Sequence, residues 1–567
     1  MRRRDQGQPG SVLIDIKGLV VKAATEEGTT TILNGVDLTV HRGEVVGLIG
    51  ESGAGKSTLG LACMGFTRGG VRFTAGSIHF DGVDITRLQE KELRENWGTR
   101  VAYVAQSAAA AFNPAWRLLL QTTETAVDQH IMTRFDARAK AVDLYRTMRL
   151  PAPERIGERF PHQVSGGQLQ RAMVAMGMVC QPDLLIFDEP TTALDVTTQI
   201  EVLAAIREVV QRYNTAAVYV THDLAVVAQM AHRIAVMRHG QVVEFADTRK
   251  LLSSPEHPYT RELLNVTNIP REPGGETGAE VVLTIKNVNA QYGAQKVLDD
   301  VSFNVRRGET VALVGESGSG KSTTARVITG LLAPTDGEVL FKALALPASY
   351  RNRTRDLLRQ IQLVSQMPDT ALNPRHTVRQ VLSRPLKFYF GMTGAKCLDR
   401  VEELLRMIEM DPETFLDRRS SELSGGQKQR LCIARALAAN PSVLICDEVT
   451  SALDRLVAKE ILQLLLKLQQ QLKVAMIFIT HDLEVVRAIA HDVVVMKTGR
   501  VVEAGPIEKV FAPPHDPYTE LLLSSVPQMD PDWLSELLGR RAAKAPDGDV
   551  AQRSNVYALL QRGTSPS

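Results

Sequence analysis

Little in this chain speaks for an extracellular scaffold, a membrane span or a nucleic-acid surface. Its five cysteines, Cys63, Cys180, Cys397, Cys432 and Cys446, lie scattered with no C-x-x-C spacing. That argues against a disulfide framework and against a zinc site, and it fits a reducing cytosol. No run approaches eighteen consecutive apolar residues, so no segment is expected to span a bilayer. If the protein works at a membrane, another chain supplies the spanning helices. Neither sign of charge dominates: 66 Lys and Arg face 64 Asp and Glu, a net charge of +2. This removes the electrostatic case for nucleic acid as the main partner. The first ten residues carry three arginines but lead into no apolar stretch, so neither a signal peptide nor a twin-arginine export signal is expected. At 567 residues the chain is too long for one core, and several domains are expected.

What is present is a glycine loop, twice. Gly50 to Ser57 reads GESGAGKS and Gly315 to Ser322 reads GESGSGKS. Each follows an apolar run, Val45 to Ile49 or Val311 to Val314, and each leads into a helix-like segment at Thr58 or Thr323. Strand, glycine loop and helix in that order make a phosphate cradle. Gly50, Ser52, Gly53 and Gly55, with Gly315, Ser317, Gly318 and Gly320, let backbone N–H groups wrap an anion, because glycine tolerates the torsions and the close approach. The phosphates then sit on a helix N-terminus. Lys56 and Lys321 would reach the β- and γ-phosphates, and Ser57 and Ser322 would hold Mg²⁺.

The other landmarks also recur. Lys56 and Lys321 are 265 residues apart, Gln106 and Gln366 are 260 apart, and Ser165 and Ser424, Asp188 and Asp447, and His222 and His481 are each 259 apart. So steady an offset means two copies of one domain. Val12 to Val21 and Ile32 to Val40 read as strands, and Gly76 to Ile85 as a hairpin turning on Asp81-Gly82. Together they suggest an antiparallel layer attached to the nucleotide core. Pro114 to Val164 reads as helical, with Ala141, Val142, Tyr145 and Met148 on one face; in the second copy Val401, Leu404, Leu405 and Ile408 repeat at i, i+3, i+4, i+7. These stripes are taken as the core of a helical subdomain. Leu184 to Phe187, Val443 to Cys446, Ala217 to Val220 and Ala475 to Ile479 are apolar on both faces, as central parallel strands are. Their carboxyl ends carry Asp-Glu or Thr-His-Asp, where open α/β sheets bind ligands.

Asp188 and Asp447 therefore suit a Mg²⁺ ligand, direct or through water, and Glu189 and Glu448 suit the group that orients and polarises the attacking water. Ser165, Gly166, Gly167 and Gln168, repeated as Ser424, Gly425, Gly426 and Gln427, begin helices with a serine placed as N-cap, again an anion-capturing tip.

With these motifs the chain resembles the ATP-binding subunit of an ABC transporter with two nucleotide-binding domains fused, over almost all of Val12 to Val526. The resemblance implies an α/β fold with two P-loop NTPase domains, each a RecA-like core with an antiparallel β layer and a helical subdomain. It implies head-to-tail closure around two ATP molecules, one shared by Lys56, Ser57 and Thr58 with Ser424 to Gln427, the other by Lys321, Ser322 and Thr323 with Ser165 to Gln168. Gln106 and Gln366 match the family's loop that senses Mg²⁺ and water, His222 and His481 its switch histidine, and Ala193 to Asp195 and Ala452 to Asp454 the loop linking the two sites. Tyr292 matches the aromatic that stacks on adenine, whereas Ala23 stands at that place in the first copy, so the Lys56 site is expected to bind ATP less tightly.

Asn113-Pro114 and Asn373-Pro374, with His257 to Thr260 and His515 to Thr519, are similar to ATPases of the dipeptide, oligopeptide and nickel importers, and the fused form to those of peptide or glutathione uptake. That implies two transmembrane permease subunits as partners, a solute-binding protein acting indirectly, and a place on the cytoplasmic face of the bacterial membrane. Some members carry a cysteine-rich tail with an iron–sulfur cluster; this tail has no cysteine, so no cluster is expected. The expected layout is an N-terminal extension 1–11, a first domain 12–269, a linker 270–280, a second domain 281–530 and a partly disordered tail 531–567. The rival reading is a soluble duplicated ABC ATPase acting on ribosomes or DNA, which the short linker and near-neutral charge disfavour. A kinase or GTPase sharing the P-loop would leave the serine-glycine helix tips and the duplication unexplained.

Overall fold

The computed structural model describes residues 10–25, 28–192, 194–265, 279–451 and 453–544. The chain divides into two compact units, and the segment from Pro527 belongs to the first rather than the second.

In the first unit, a six-stranded sheet runs in the order Gln241–Asp247, Arg233–Arg238, Val45–Gly50, Ala216–Val220, Leu184–Asp188, Val101–Val104. All but the outermost pairing, Gln241–Asp247 on Arg233–Arg238, are parallel. Every residue of Val45–Gly50, Ala216–Val220 and Leu184–Asp188 is buried, because helices together with an antiparallel sheet cover these central strands and leave neither face to solvent. The second unit repeats the sheet with Arg500–Pro506, Asp492–Lys497, Thr310–Val314, Ala475–Ile479, Val443–Asp447 and Ile361–Val364.

Each unit adds a four-stranded antiparallel sheet, in the first Gly28–His41, Val12–Thr25, Val71–Phe80 and Val83–Asp84. Its hairpin pairs Phe80 with Val83 across Asp81 and Gly82, both at positive φ, 52° and 80°, which is what a two-residue turn matched to strand twist requires.

The helical segments also form. In the second unit Gly394–Met407 packs Val401, Leu404 and Leu405 into the core, with Ile408 at its cap. In the first, Arg134–Thr147 buries Ala137, Ala141, Leu144 and Tyr145, with Met148 behind. Val142, expected on that face, is only half buried, and Leu144 takes its place. The helix is therefore rotated so that the Tyr145 hydroxyl lies 2.6 Å from Thr122 Oγ1, a bond that satisfies a buried polar group.

A further helix, Trp533–Lys544, falls within the stretch expected as tail, and buries Trp533, Leu534, Leu537 and Leu538. Within the first unit Gln229 clamps the start of it. Its Nε2 donates to the carbonyls of Gln528 (2.7 Å) and Asp530 (2.9 Å), and its Oε1 accepts from Leu534 N–H (3.0 Å). Arg249 pairs with Asp532 at 2.7 Å, and Arg207 donates to Ser535. The expected linker lies mostly, and residues 545–567 wholly, outside the described residues.

Candidate active site

The glycine loops owe their shape to backbone crowding. A Cβ on Gly50 would stand 2.1 Å from Met237 O, and one on Gly315 2.1 Å from Met496 O. Gly55 (φ 96°) and Gly320 (φ 105°) are left-handed and cap the helices Lys56–Ala62 and Lys321–Ile328. Gly53 and Gly318 meet nothing within 4 Å, and with Ser52 and Ser317 they form the exposed crest of each loop. Lys56 Nζ donates to the carbonyls of Gly50 (2.8 Å) and Glu51 (2.7 Å). Lys321 repeats this with Gly315 (2.8 Å) and Glu316 (2.7 Å). Both ammonium groups thus curl back under the loop, with anion-ready N–H groups above them. Thr58 and Thr323 follow in the first helical turn.

Ser57 Oγ donates to Asp188 Oδ1 at 2.8 Å, and Ser322 Oγ to Asp447 Oδ1 at 3.0 Å. A hydroxyl and a carboxylate side by side at a helix N-terminus are the oxygen donors a hard cation such as Mg²⁺ takes. Next in sequence, Glu189 and Glu448 sit at left-handed φ of 49° and 48°, a strained backbone for a non-glycine residue. Each carboxylate faces a glutamine and a histidine. Glu189 Oε2 accepts from Gln106 Nε2 (3.0 Å) and Thr192 Oγ1 (3.1 Å), while Oε1 lies 3.1 Å from His222 Nδ1. Glu448 Oε2 accepts from Gln366 Nε2 (2.7 Å), with His481 Nδ1 3.7 Å from Oε1.

The electrostatics agree. Burial works against ionised Glu189, yet the His222 and Thr192 bonds and the Lys56 charge hold it below the usual carboxylate range. His481 does the same for Glu448, against burial. Asp447 moves the other way: burial and the adjacent Glu448 charge raise it despite the Ser322 bond. Each unit therefore offers a glutamate that stays anionic near neutral pH, touching a glutamine and a histidine, beside a hydroxyl–carboxylate pair.

The helix tips are built separately. Ser165 Oγ accepts from Gln168 N–H and Gln168 Oε1 from Ser165 N–H (3.3 and 3.2 Å), and Ser424 and Gln427 form the same reciprocal cap. The two glycines inside each cap differ. A Cβ on Gly167 would fall 2.2 Å from Thr198 Cγ2, and on Gly426 2.5 Å from Val457 Cγ1, so these glycines let two helices touch. Gly166 has nothing within 4 Å and Gly425 only Leu453 at 3.8 Å. Packing explains the second glycine of each tip and leaves the first open for a close approach from outside. Tyr292 ends the strand Val281–Tyr292, half exposed, its hydroxyl accepting from Arg326 at 2.8 Å. Ala23 occupies the matching place on Val12–Thr25. Ala193 and Ala452 lie outside the described residues.

Three further tyrosines reach into these sites. Tyr103 donates to Asp188 Oδ2 at 2.6 Å; Leu363 stands at its place in the second copy. Tyr259 and Tyr518 accept from the loop N–H groups of Glu51 and Glu316, both at 3.0 Å. These are the tyrosines of the two recurrent His…Pro-Tyr-Thr motifs, so the repetition itself was the signal.

Among known families, the chain matches the model described as ABC transporter over residues 33–192 and 298–451. It matches the one described as oligopeptide/dipeptide transporter, C-terminal region, over 243–285 and 502–553. It is 37% identical over 531 residues to the uncharacterized ABC transporter ATP-binding protein YejF of Escherichia coli K12, covering 90% of this chain and 99% of that protein. It is 36% identical over 568 residues to the glutathione import ATP-binding protein GsiA of Pectobacterium atrosepticum, covering 92% and 91% respectively. A solved cassette, cbiO1 from Clostridium perfringens, is 33% identical over 41% of this chain and 92% of its own, with a TM-score of 0.38.

Proposed function

This chain belongs to the ABC transporter ATPases, with two cassettes in one polypeptide, and we propose that it is the ATP-hydrolysing motor of an importer for peptides. The observation that carries the hydrolytic part is the duplicated cluster around Glu189 and Glu448, each glutamate held by a glutamine and a histidine beside a loop lysine.

In this reading Lys56 and Lys321 exchange their loop carbonyls for phosphate oxygens when ATP binds, and the loop N–H groups carry the rest of the anionic charge. Glu189 and Glu448 accept a hydrogen bond from water and aim it at the γ-phosphorus; Gln106, Gln366, His222 and His481 fix the angle of each carboxylate. Ser57 with Asp188, and Ser322 with Asp447, would hold Mg²⁺, which when bound offsets charge on the β- and γ-phosphates. The tips at Ser165 to Gln168 and Ser424 to Gln427 would close on the ATP of the opposite copy, Gly166 and Gly425 giving the room. Closure by ATP and reopening after hydrolysis is then a population shift between two states.

The partners proposed are two permease subunits, with a solute-binding protein acting through them, at the cytoplasmic face of the membrane. The match to the oligopeptide/dipeptide C-terminal region and the glutathione import relatives support this. No helix among the described residues is long and apolar enough to cross a membrane, so in this reading the permeases supply the spanning helices.

The test is a Glu189→Gln, Glu448→Gln double variant. It is expected to bind ATP normally and to lose turnover by about 100-fold or more; parental turnover would overturn the assignment. Copurification of the full chain with membrane permeases supports the importer reading, and copurification with ribosomes overturns it.

A further inference from the structure

The two copies can be compared with each other at the end of the sheet opposite the glycine loop. In the first unit, four side chains there close into a ring. Arg42 pairs with Asp81 (2.5 Å) and Asp183 (3.5 Å), and Arg100 with Asp81 (2.7 Å) and Asp183 (2.8 Å). Two guanidinium groups are neutralised by two carboxylates.

Shared backbone bonds locate the counterparts. Arg42 N–H donates to Ser11 O as Arg307 does to Glu280 O; Asp81 to Leu13 O as Lys342 to Val282 O; Asp183 to Arg100 O as Ser442 to Gln360 O. Arg42 is thus kept as Arg307, while Asp81 has become Lys342 and Asp183 has become Ser442. By the same bonds Arg100 has become Gln360 and Ser11 has become Glu280, so both aspartates and one guanidinium of the ring are gone, and Lys342 is a new cation beside the retained Arg307. In place of the ring there is a cavity of about 310 Å³ lined by Glu280, Arg307, Lys342, Arg359, Ser442 and Lys473 among others. Among the described residues Arg307 and Lys342 have no carboxylate within ion-pair distance. Arg359 is held at the wall by Asp356 (2.6 Å) and the carbonyl of Asn440 (3.1 Å), with its guanidinium over the Phe390 ring.

We propose that this cavity of the second unit binds a phosphate monoester group, whose two negative charges take the place that Asp81 and Asp183 fill in the first unit. Phosphate suits the lining because a guanidinium presents paired donors to its oxygens and an ammonium adds a compact charge. The lining is open to water, so binding weakens as salt rises. The monoester can come free in solution or as the headgroup of an anionic lipid, and the chemistry of the cavity is the same for both.

The experiment uses the full chain with both nucleotide loops saturated by ADP. Glycerol 3-phosphate is titrated by calorimetry, and sedimentation is measured with phosphatidylcholine vesicles with and without phosphatidic acid. The control is the graft Lys342→Asp, Ser442→Asp, which installs the first unit's carboxylates. The parent is expected to bind one of the two probes at one site per chain, and the graft to lose at least tenfold in affinity with ATP turnover unchanged and thermal stability retained. Binding of glycerol 3-phosphate supports a free ester, and binding of the acidic vesicles alone supports a lipid headgroup. Binding of neither probe, or equal binding by parent and graft, overturns the proposal. Arg307→Ala is a second variant that must also weaken binding.

Discussion

At the scale of single residues, the sites are organised by charges that hold one another. His481 is kept protonated above the ordinary imidazole value of 6.5: burial opposes the charge, and Glu448 and Asp482 outweigh burial. Its stabilising effect is complete below 6.5 and is lost as pH rises through the raised value. Glu448, held below 4.5, contributes above that value and loses it as pH falls through the lowered one. Without nucleotide and Mg²⁺, the gap in melting temperature between the parent and His481→Gln is therefore expected to be widest near pH 5 to 6. It should narrow toward both pH 9 and pH 3, and a gap independent of pH would contradict the pairing. Tyr103 poses a second question. Its bond to Asp188 is private to the first copy, so Tyr103→Phe should cost about 1 kcal/mol in urea unfolding, while Leu363→Ala in the second copy removes packing and leaves Asp447 untouched.

At the scale of elements, the helix tips separate packing from function. Gly166→Ala meets open space and a helical backbone, so its melting temperature should stay at the parental value while ATP turnover falls. Gly167→Ala drives a methyl into Thr198 and should cost roughly 1–3 kcal/mol. Adding Thr198→Ser, which removes the obstructing Cγ2, should restore the stability, and failure to do so would mean the glycine serves some other end. How legible these elements were in the sequence follows the range of the forces that build them. The glycine loops, the Asp81-Gly82 turn and the strands apolar on both faces are written in a few adjacent residues. The Ala141 stripe differs at Val142 because six charged residues are spread along Arg134–Thr147 and leave its apolar face weakly marked, while the Thr122 that meets Tyr145 stands on another helix. Tyr103 and Tyr259 reach partners 85 and 208 residues away, and no local pattern encodes such a contact. The Trp533–Lys544 helix looked like tail because Arg540 and Arg541 crowd its end, while the surface that buries Trp533 and Leu534 lies some 300 residues earlier.

At the scale of the whole molecule, the duplication is unequal, and the inequality is testable. Ala23 in place of an aromatic predicts weaker ATP binding at the Lys56 site, so Lys321→Ala should leave a chain of lower affinity than Lys56→Ala does. Ala23→Tyr should recover roughly 1–3 kcal/mol, the worth of one stacked base; equal affinities throughout would remove the asymmetry. The route of the polypeptide has a further consequence. Because the chain leaves the second unit at Val526 and then contributes the Gln229-clamped helix to the first, severing it in the region between the copies does not yield two self-sufficient halves. The amino-terminal piece would lack the cover over its own apolar surface, and the carboxyl-terminal piece would carry that cover as an unpaired extension. Each fragment should aggregate when made alone and be rescued when the two are produced together, with the noncovalent pair surviving purification.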